Sequence, residues 1–223
     1  MSTHARSDRI ASVAALDDPL RRALYDFVSR SETPVGRDTA AEALHVSRRM
    51  AAMHLDRLAA LGLLAVEYRR LHGRTGPGAG RPAKLYRRSD DEVAVSVPER
   101  AYHVVGELFV AAAAESIASG VPVANTLPRT AYEMGCRLGA AAPDVRTALV
   151  DVGYEPVESP DHRGGLTLRN CPFHRLSQQY TQLVCRVNLE LLRGVADGAG
   201  DTSHTLVLDP GEGRCCVRLD AAA

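Results

Sequence analysis

Four of the five cysteines lie between Asn170 and Cys216, in the last quarter of the chain. Cys171 opens the motif Cys-Pro-Phe-His, Cys185 follows inside a helical pattern, and Cys215 and Cys216 stand at the head of a predicted strand. Thiolates are soft ligands that suit zinc and iron–sulfur clusters. Because three separate local elements supply these cysteines, only a folded domain can bring the sulfur atoms together. The segment predicts a metal or cluster site.

The predicted last strand separates its two adjacent cysteines. Side chains alternate between the two faces of a strand, which places Cys215 with Leu219 on the apolar face and Cys216 with Arg218 on the other. We therefore expect Cys215 to be the buried ligand that joins the two upstream cysteines. The fourth ligand is left open between His174, three residues after Cys171, and Cys216, solvent or a small molecule.

Other interpretations of the cysteines stay open. Three thiolates also suit a zinc ion, and the same thiols can form a redox switch or act as small apolar side chains. Cys136, alone in an apolar helical pattern, is expected to be such an inert residue. Cys171 and His174 resemble a nucleophile and its base, but no oxyanion or substrate motif accompanies them, so an enzyme is not expected.

Charge distinguishes the two parts of the chain. Residues 1–90 carry 16 Arg and Lys against 10 Asp and Glu, whereas residues 91–223 carry 11 against 17. A basic first part beside an acidic second part favours a nucleic-acid-binding domain joined to a domain of another kind. We expect no secretory signal and no membrane span, and therefore a cytoplasmic protein with reduced cysteines.

Helices joined by a short turn are predicted in the basic part. One helix opens at Asp18 and Pro19, an acidic cap followed by proline in the first turn. A short helix is predicted over Arg37–Leu44, and after a tight turn Ser47 caps a longer helix that runs to about Leu61. This order, with basic side chains on the outer face of the second helix of the pair, is typical of a helix-turn-helix.

A basic hairpin is predicted directly after these helices. Leu63–Arg69 alternates like a strand and Ala83–Arg87 is the returning strand, and from Arg69 to Arg88 the chain has six Arg and one Lys and no acidic residue. We expect arginines at the glycine-rich tip to enter a minor groove and the helix to contact base edges. The residues expected to contact DNA are Ser47, Arg48, Arg49, Met53, Arg57, Arg74, Arg81 and Lys84.

Two stretches carry a resemblance to a known family. VSRRMAAMHLDRLAALGLL at Val46–Leu64, followed by GRPAKLYRRS at Gly80–Ser89, resembles the winged helix of ArsR-type bacterial regulators. The Gly-Arg-Pro-Ala-Lys-x-Tyr motif is similar to that of the SufR-type iron–sulfur repressors. The resemblance implies a homodimer that binds a double-stranded, palindromic DNA operator.

The cysteines extend this resemblance. The SufR-type sensor domain has a Cys-Pro motif, a cysteine within a helix and a final Gly-x-Cys strand, matched here by Cys171-Pro172, Cys185 and Gly213-Arg214-Cys215. It implies an iron–sulfur cluster, expected to be of the 4Fe–4S type, on Cys171, Cys185 and Cys215. The doubled Cys215-Cys216 and the Cys-Pro-Phe-His form depart from the pattern. A regulator that binds zinc, a redox-sensing thiol switch and a regulator that binds an organic effector are the alternatives.

The expected fold class is α+β, with three parts. Residues 1–90 form a winged helix-turn-helix, residues 91–142 a helical linker and dimerisation segment, and residues 143–223 an α+β sensor domain. In the middle part, Ile117 is expected to pack inward, and a second helix over Pro128–Ala142 carries Gly135 and Gly139, whose spacing permits close approach of another helix.

Overall fold

The computed structural model describes residues 6–70, 82–211 and 213–222. The chain divides into two compact units, Met1–Val95 and Ser96–Ala223. Across the described residues it forms nine helices and two small antiparallel sheets, which confirms the α+β class.

The first unit contains five of the helix and strand elements predicted for it, and two more. Its elements are α1 (Arg6–Ala15), α2 (Pro19–Arg30), β1 (Val35–Gly36), α3 (Arg37–Ala43), α4 (Arg48–Ala60), β2 (Leu64–Arg69) and β3 (Ala83–Arg88). The strands form one sheet in the order β1-β3-β2. Register is set by pairs such as Leu64 with Arg88 and Arg69 with Ala83, so β2 and β3 are the two arms of a hairpin.

Side-chain caps fix where the helices of this unit begin. The Asp18 carboxylate accepts a hydrogen bond from the Arg21 N–H at 2.9 Å, and the Ser47 hydroxyl accepts one from the Met50 N–H at 3.2 Å. Each bond satisfies an N–H that a helix start leaves without a partner. Leu24, Leu55 and Leu58 are fully buried beneath the helices. The predicted starts of α2 and α4 are confirmed.

The second unit holds the remaining helices and the second sheet. Its elements are α5 (Tyr102–Ser119), α6 (Val123–Ala140), α7 (Val145–Asp151), β4 (Pro156–Glu158), β5 (Leu166–Leu168), α8 (His174–Gln179), α9 (Thr181–Gly198), β6 (His204–Leu208) and β7 (Val217–Ala221). The sheet order is β4-β5-β7-β6. All four cysteines of the predicted site belong to the core of this unit, so α5 and α6 share a core with the site instead of forming a separate middle part.

Close contact between α6 and α9 organises this core. A Cβ added to Gly135 would stand 2.0 Å from the Leu191 carbonyl oxygen, and one added to Gly194 would stand 2.0 Å from the Tyr132 oxygen. Only glycine permits such an approach of two backbones. The small-residue face of α6 is therefore occupied by a helix of the same chain.

Two expectations for α5 and α6 are wrong. Ile117 is 86% exposed, because Val104, Leu108 and Ala112 form the buried stripe at four-residue spacing and Ile117 lies off that stripe. Helix α6 begins at Val123, five residues before Pro128. A proline inside the second turn removes one helical hydrogen bond without stopping the helix, and burial of this helix against α9 outweighs that loss.

Candidate functional site

Three separate elements bring the four cysteines into one region. Cys171 lies in the loop between β5 and α8, Cys185 lies in the second turn of α9, and Cys215 and Cys216 immediately precede β7. All four are buried free thiols. The convergence of residues far apart in sequence is the feature that the cysteine spacing predicted.

The thiols form a row of contacts. Cys171 lies beside Cys215, Cys215 beside Cys216, and Cys216 beside Cys185. The expected separation of Cys215 and Cys216 onto opposite strand faces is wrong. β7 begins only at Val217, so strand alternation does not govern the two preceding residues, and both are buried, at 2% and 8% exposure. Cys216 lies between Cys215 and Cys185 and therefore belongs to the row.

Neighbouring thiols of this row shift each other's pKa in opposite directions. The hydrogen bond with Cys215 lowers the pKa of Cys171 and also that of Cys216. The contact with Cys171, followed by that with Cys216, raises the pKa of Cys215. Burial, followed by the contact with Cys216, raises the pKa of Cys185. Cys171 and Cys216, whose pKa is lowered, therefore alternate along the row with Cys215 and Cys185, whose pKa is raised.

A buried amide supports the Cys215–Cys216 end of the row. Asn188, 1% exposed, donates from Nδ2 to Cys215 Sγ at 3.2 Å, and Cys216 Sγ lies 4.0 Å from the same nitrogen. The buried Tyr154 hydroxyl donates to Asn188 Oδ1, which fixes the orientation of the amide. Hydrogen bonds to the sulfur atoms are among the features that set the electronic properties of a thiolate site. Asn188 was not predicted as a site residue; its sequence signal is an asparagine three residues after a helical cysteine, among apolar residues.

Several contacts hold the Cys171 loop. Arg100 donates from Nη1 to the Asn170 side-chain oxygen and to the Cys171 carbonyl, the latter at 3.3 Å. Asn170 in turn donates from Nδ2 to the Glu99 and Gly153 carbonyls, both at 2.7 Å. The Cys215 N–H donates a hydrogen bond to the Leu168 carbonyl at 2.8 Å, which joins the segment that contains Cys215 and Cys216 to β5. These hydrogen bonds contribute to fixing the position of the loop.

A cleft of about 610 Å³ opens beside the thiols. Cys171, Cys185 and Cys216 line it, whereas Cys215 does not. His174, the proposed fourth ligand, also lines the cleft, but it is exposed and begins α8. His174 donates its backbone N–H to the Cys171 carbonyl at 3.1 Å, whereas Cys216 lies beside two other cysteines through its side chain, so the geometry favours Cys216 as the fourth donor.

The four thiols form a soft donor set. Within the described ranges, no three or more His, Cys, Asp or Glu side chains are grouped to hold one metal ion. Zinc requires its ligands around one point at about 2.0–2.3 Å. In an iron–sulfur cluster the cysteines are distributed over several irons. The four thiols are sulfur donors of the type that both kinds of centre use.

The N-terminal unit presents a basic helix face. Arg48, Arg49, Met53 and Arg57 of α4 are exposed, while Ala51, Leu55 and Leu58 of the same helix are buried. Arg48 forms an ion pair with Asp38 of α3, and Arg49 has no ion pair with a described residue. The face that was predicted to contact DNA is thus open to solvent.

Lys84 has a different environment from the one expected. Its Nζ forms an ion pair with the Asp56 carboxylate of α4 and lies 5.3 Å from the centre of the Tyr86 ring. The Tyr86 hydroxyl also donates to Asp56, at 2.7 Å. These contacts join β3 to α4, so Lys84 helps to position the hairpin. Its positive charge is compensated by the Asp56 carboxylate. Arg74 and Arg81 lie outside the described residues.

Comparison with known proteins assigns no family. No protein-family model, curated protein or solved structure matches this chain. None of the helices in the described ranges has the length and apolar character to cross a bilayer.

Proposed function

We propose that this protein is a cytoplasmic DNA-binding transcriptional regulator, a repressor, with a winged helix-turn-helix in its N-terminal unit. It binds a palindromic double-stranded operator as a homodimer. An iron–sulfur cluster on the C-terminal cysteines controls its affinity for the operator. The observation that carries the sensing role is the burial of four thiols from three elements in one contacting row.

The DNA-binding role is supported by the order and exposure of the elements. A short helix and a Ser47-capped helix are followed directly by a two-stranded hairpin, the arrangement of a helix-turn-helix with a wing. Arg49 and Arg57 stand exposed on the second helix of the pair. Arginine contacts guanine edges through its planar fork and also neutralises phosphates. We assign base contacts to Arg48 and Arg49, and assign Lys84 to positioning the hairpin.

The sensing role is supported by the donor set. The cluster would be held by Cys171, Cys185, Cys215 and Cys216. Cys216 takes the place of His174 as the fourth ligand. When bound, a cluster supplies one-electron redox chemistry that depends on hydrogen bonds to its sulfur atoms. The chain contributes those hydrogen bonds through Asn188, and contributes solvent access through the cleft.

The regulatory step follows from which elements the thiols connect. The Cys171 loop, helix α9 and the start of β7 have no covalent link near one another, and a bound group shared by the thiols would tie the three together. A ligand shifts a conformational equilibrium only if it binds one state more tightly. The cluster-bound state is therefore the state in which these three elements hold the positions seen here, and loss of the cluster releases them.

Anaerobic purification of the full chain tests this proposal. The wild-type protein should contain iron and sulfide and show visible charge-transfer absorption, and its operator affinity should change when iron is removed. The Cys185→Ser variant should lose most of its iron and its iron-dependent DNA affinity. The matched control, Cys136→Ser, removes the one cysteine outside the row and should behave like wild type.

Two results would contradict the proposal. Retention of iron-dependent switching by Cys185→Ser would remove that residue from the sensing site. Stoichiometric zinc without iron would replace the cluster with a zinc site. A thermal melt of each metal-free variant separates either result from a folding defect.

A second candidate, a thiol redox switch, is favoured by the direct contact of adjacent thiols. Cys185 neighbours Cys216 and Cys171 neighbours Cys215 in the core, and an external oxidant can convert two neighbouring thiols to a disulfide. Peptide mass mapping after mild oxidation distinguishes the two candidates. A reversible disulfide that changes DNA affinity in iron-free protein supports the redox switch.

A further inference from the structure

The cleft beside the cysteines carries positive charge that the described part of the chain does not neutralise. Arg100, Arg169 and Arg214 line it, with Glu155 as the one carboxylate among the lining residues. Arg214 is paired with Asp209 at 2.8 Å, outside the lining. Arg100 and Arg169 form no ion pair with any described residue.

The guanidinium group of Arg100 is held in place by neutral partners. Its Nη1 donates to the Glu99 carbonyl at 3.0 Å, to the Cys171 carbonyl at 3.3 Å and to the Asn170 side-chain oxygen. These bonds use one edge of the group and leave Nε and Nη2 without a described acceptor. A fixed guanidinium fork with a free edge matches the two oxygens of a carboxylate.

The rest of the cleft indicates what such an anion carries. Ser177, Gln178 and Thr181 contribute neutral hydrogen-bonding groups to the lining, and the cysteines contribute sulfur atoms. A volume of about 610 Å³ falls in the range that holds small organic ligands. The lining therefore combines cationic groups for an anionic end with polar, uncharged groups for the remainder of a small molecule.

We propose that this cleft binds a small organic anion, with a carboxylate on Arg100 and Arg169 and the polar remainder of the molecule against the Ser177–Thr181 segment. The ligand covers the open side of the cysteine row and controls access to Cys171, Cys185 and Cys216. This proposal rests on the residues of the cleft and does not depend on the proposed cluster.

Calorimetric titration of the full metal-free chain tests the site, with succinate as the probe, inorganic phosphate as a second anion and succinamide as a neutral analogue. Succinate should bind and succinamide should not. Arg169→Gln should weaken succinate binding about tenfold, the effect of losing roughly 1.4 kcal/mol of a charged hydrogen bond. Arg186→Gln removes the same charge from an exposed position of α9 outside the cleft and should leave binding unchanged.

A second readout places the ligand. Bound succinate should slow alkylation of Cys171 and Cys216 by iodoacetamide, measured peptide by peptide, and should leave the rate at Cys136 unchanged. Arg169 is exposed, so its substitution should not alter the thermal melt.

Three results would overturn the proposal: no succinate binding at millimolar concentration, equal binding of phosphate, or binding that Arg169→Gln does not weaken. Because the protein is metal-free, each of these results leaves the iron analysis of the cysteine variants unaffected. Failure of the cluster proposal would likewise leave the titration unaffected.

Discussion

The Asn188 side-chain amide donates a hydrogen bond to Cys215 Sγ at 3.2 Å, in the buried core of the C-terminal unit. The Tyr154 hydroxyl donates to the oxygen of the same amide, so the amide cannot rotate without losing both bonds. A helix residue thus fixes the position of a sulfur atom that arrives from the end of the chain. The cysteine row depends on a polar residue that is not itself a candidate ligand.

Asn188→Leu should destabilise the metal-free protein by about 1–3 kcal/mol, because it leaves the Tyr154 hydroxyl buried without a partner. Urea denaturation measures the loss. Tyr154→Phe removes the hydroxyl but retains the Asn188–Cys215 bond, and should cost less. The double variant should recover part of the loss, since neither polar group then remains. Additive losses would show that the two side chains do not act as a pair.

Gly135→Ala should destabilise the protein by at least about 3 kcal/mol, because the added Cβ meets the Leu191 carbonyl oxygen at 2.0 Å and two packed backbones would have to separate. The control is Gly106→Ala in α5, where no atom lies within 4 Å of the added Cβ. That change should stabilise the protein by about 0.5–1 kcal/mol through helix propensity. Equal melting temperatures for the two variants would contradict the close packing of α6 on α9.

Local sequence signals predict most of the helices and strands, whereas contacts between residues far apart in the sequence leave no such signal. Asp18 and Ser47 marked helix starts because a cap acts within three residues. The helix α8, only six residues long, carries too little periodicity to be recognised. The bond from Arg100 to the Cys171 loop spans 71 residues and has no local signature.

The glycines of α6 have a matching pair in α9. Gly135 and Gly139 predict close approach of another helix, and Gly194 and Gly198 have the same four-residue spacing. Two helices with glycines four residues apart are candidates to pack on each other. The structure joins these two sets: a Cβ on Gly139 would stand 2.2 Å from the Val195 carbonyl, and one on Gly198 would stand 2.2 Å from that of Cys136.

Arg49→Ala should weaken operator binding by roughly 1–3 kcal/mol and lower the salt dependence of binding by about one released counterion. Arg49 is exposed on α4, so the loss should come from DNA contacts and not from stability. Fluorescence anisotropy over a range of salt concentrations measures both effects. Arg186→Ala, an equal change of charge in the C-terminal unit, is the control. An unchanged affinity for Arg49→Ala would exclude α4 as the DNA-contacting helix.

Asp56→Asn should loosen the junction between α4 and β3 in a pH-dependent way. Burial alone would raise the pKa of Asp56, but hydrogen bonds from Lys84 and Tyr86 outweigh burial, and the net shift is downward. A carboxyl with a lowered folded-state pKa contributes stability that is present above its unfolded pKa, about 3.9, and is lost as the pH falls through the folded value.

The wild-type protein should therefore exceed Asp56→Asn in stability at pH 7, by roughly 1 kcal/mol for a half-exposed pair, and the difference should shrink below about pH 4. Thermal melts at the two pH values measure it. Asp26→Asn, at an exposed ion pair of α2 with an O–N distance of 4.0 Å, is the control and should show a smaller difference at pH 7. A difference between wild type and Asp56→Asn that stayed constant from pH 7 to pH 3 would contradict the charge-based account. In that case Lys84 and Tyr86 would hold β3 on α4 without a contribution from the charge of Asp56.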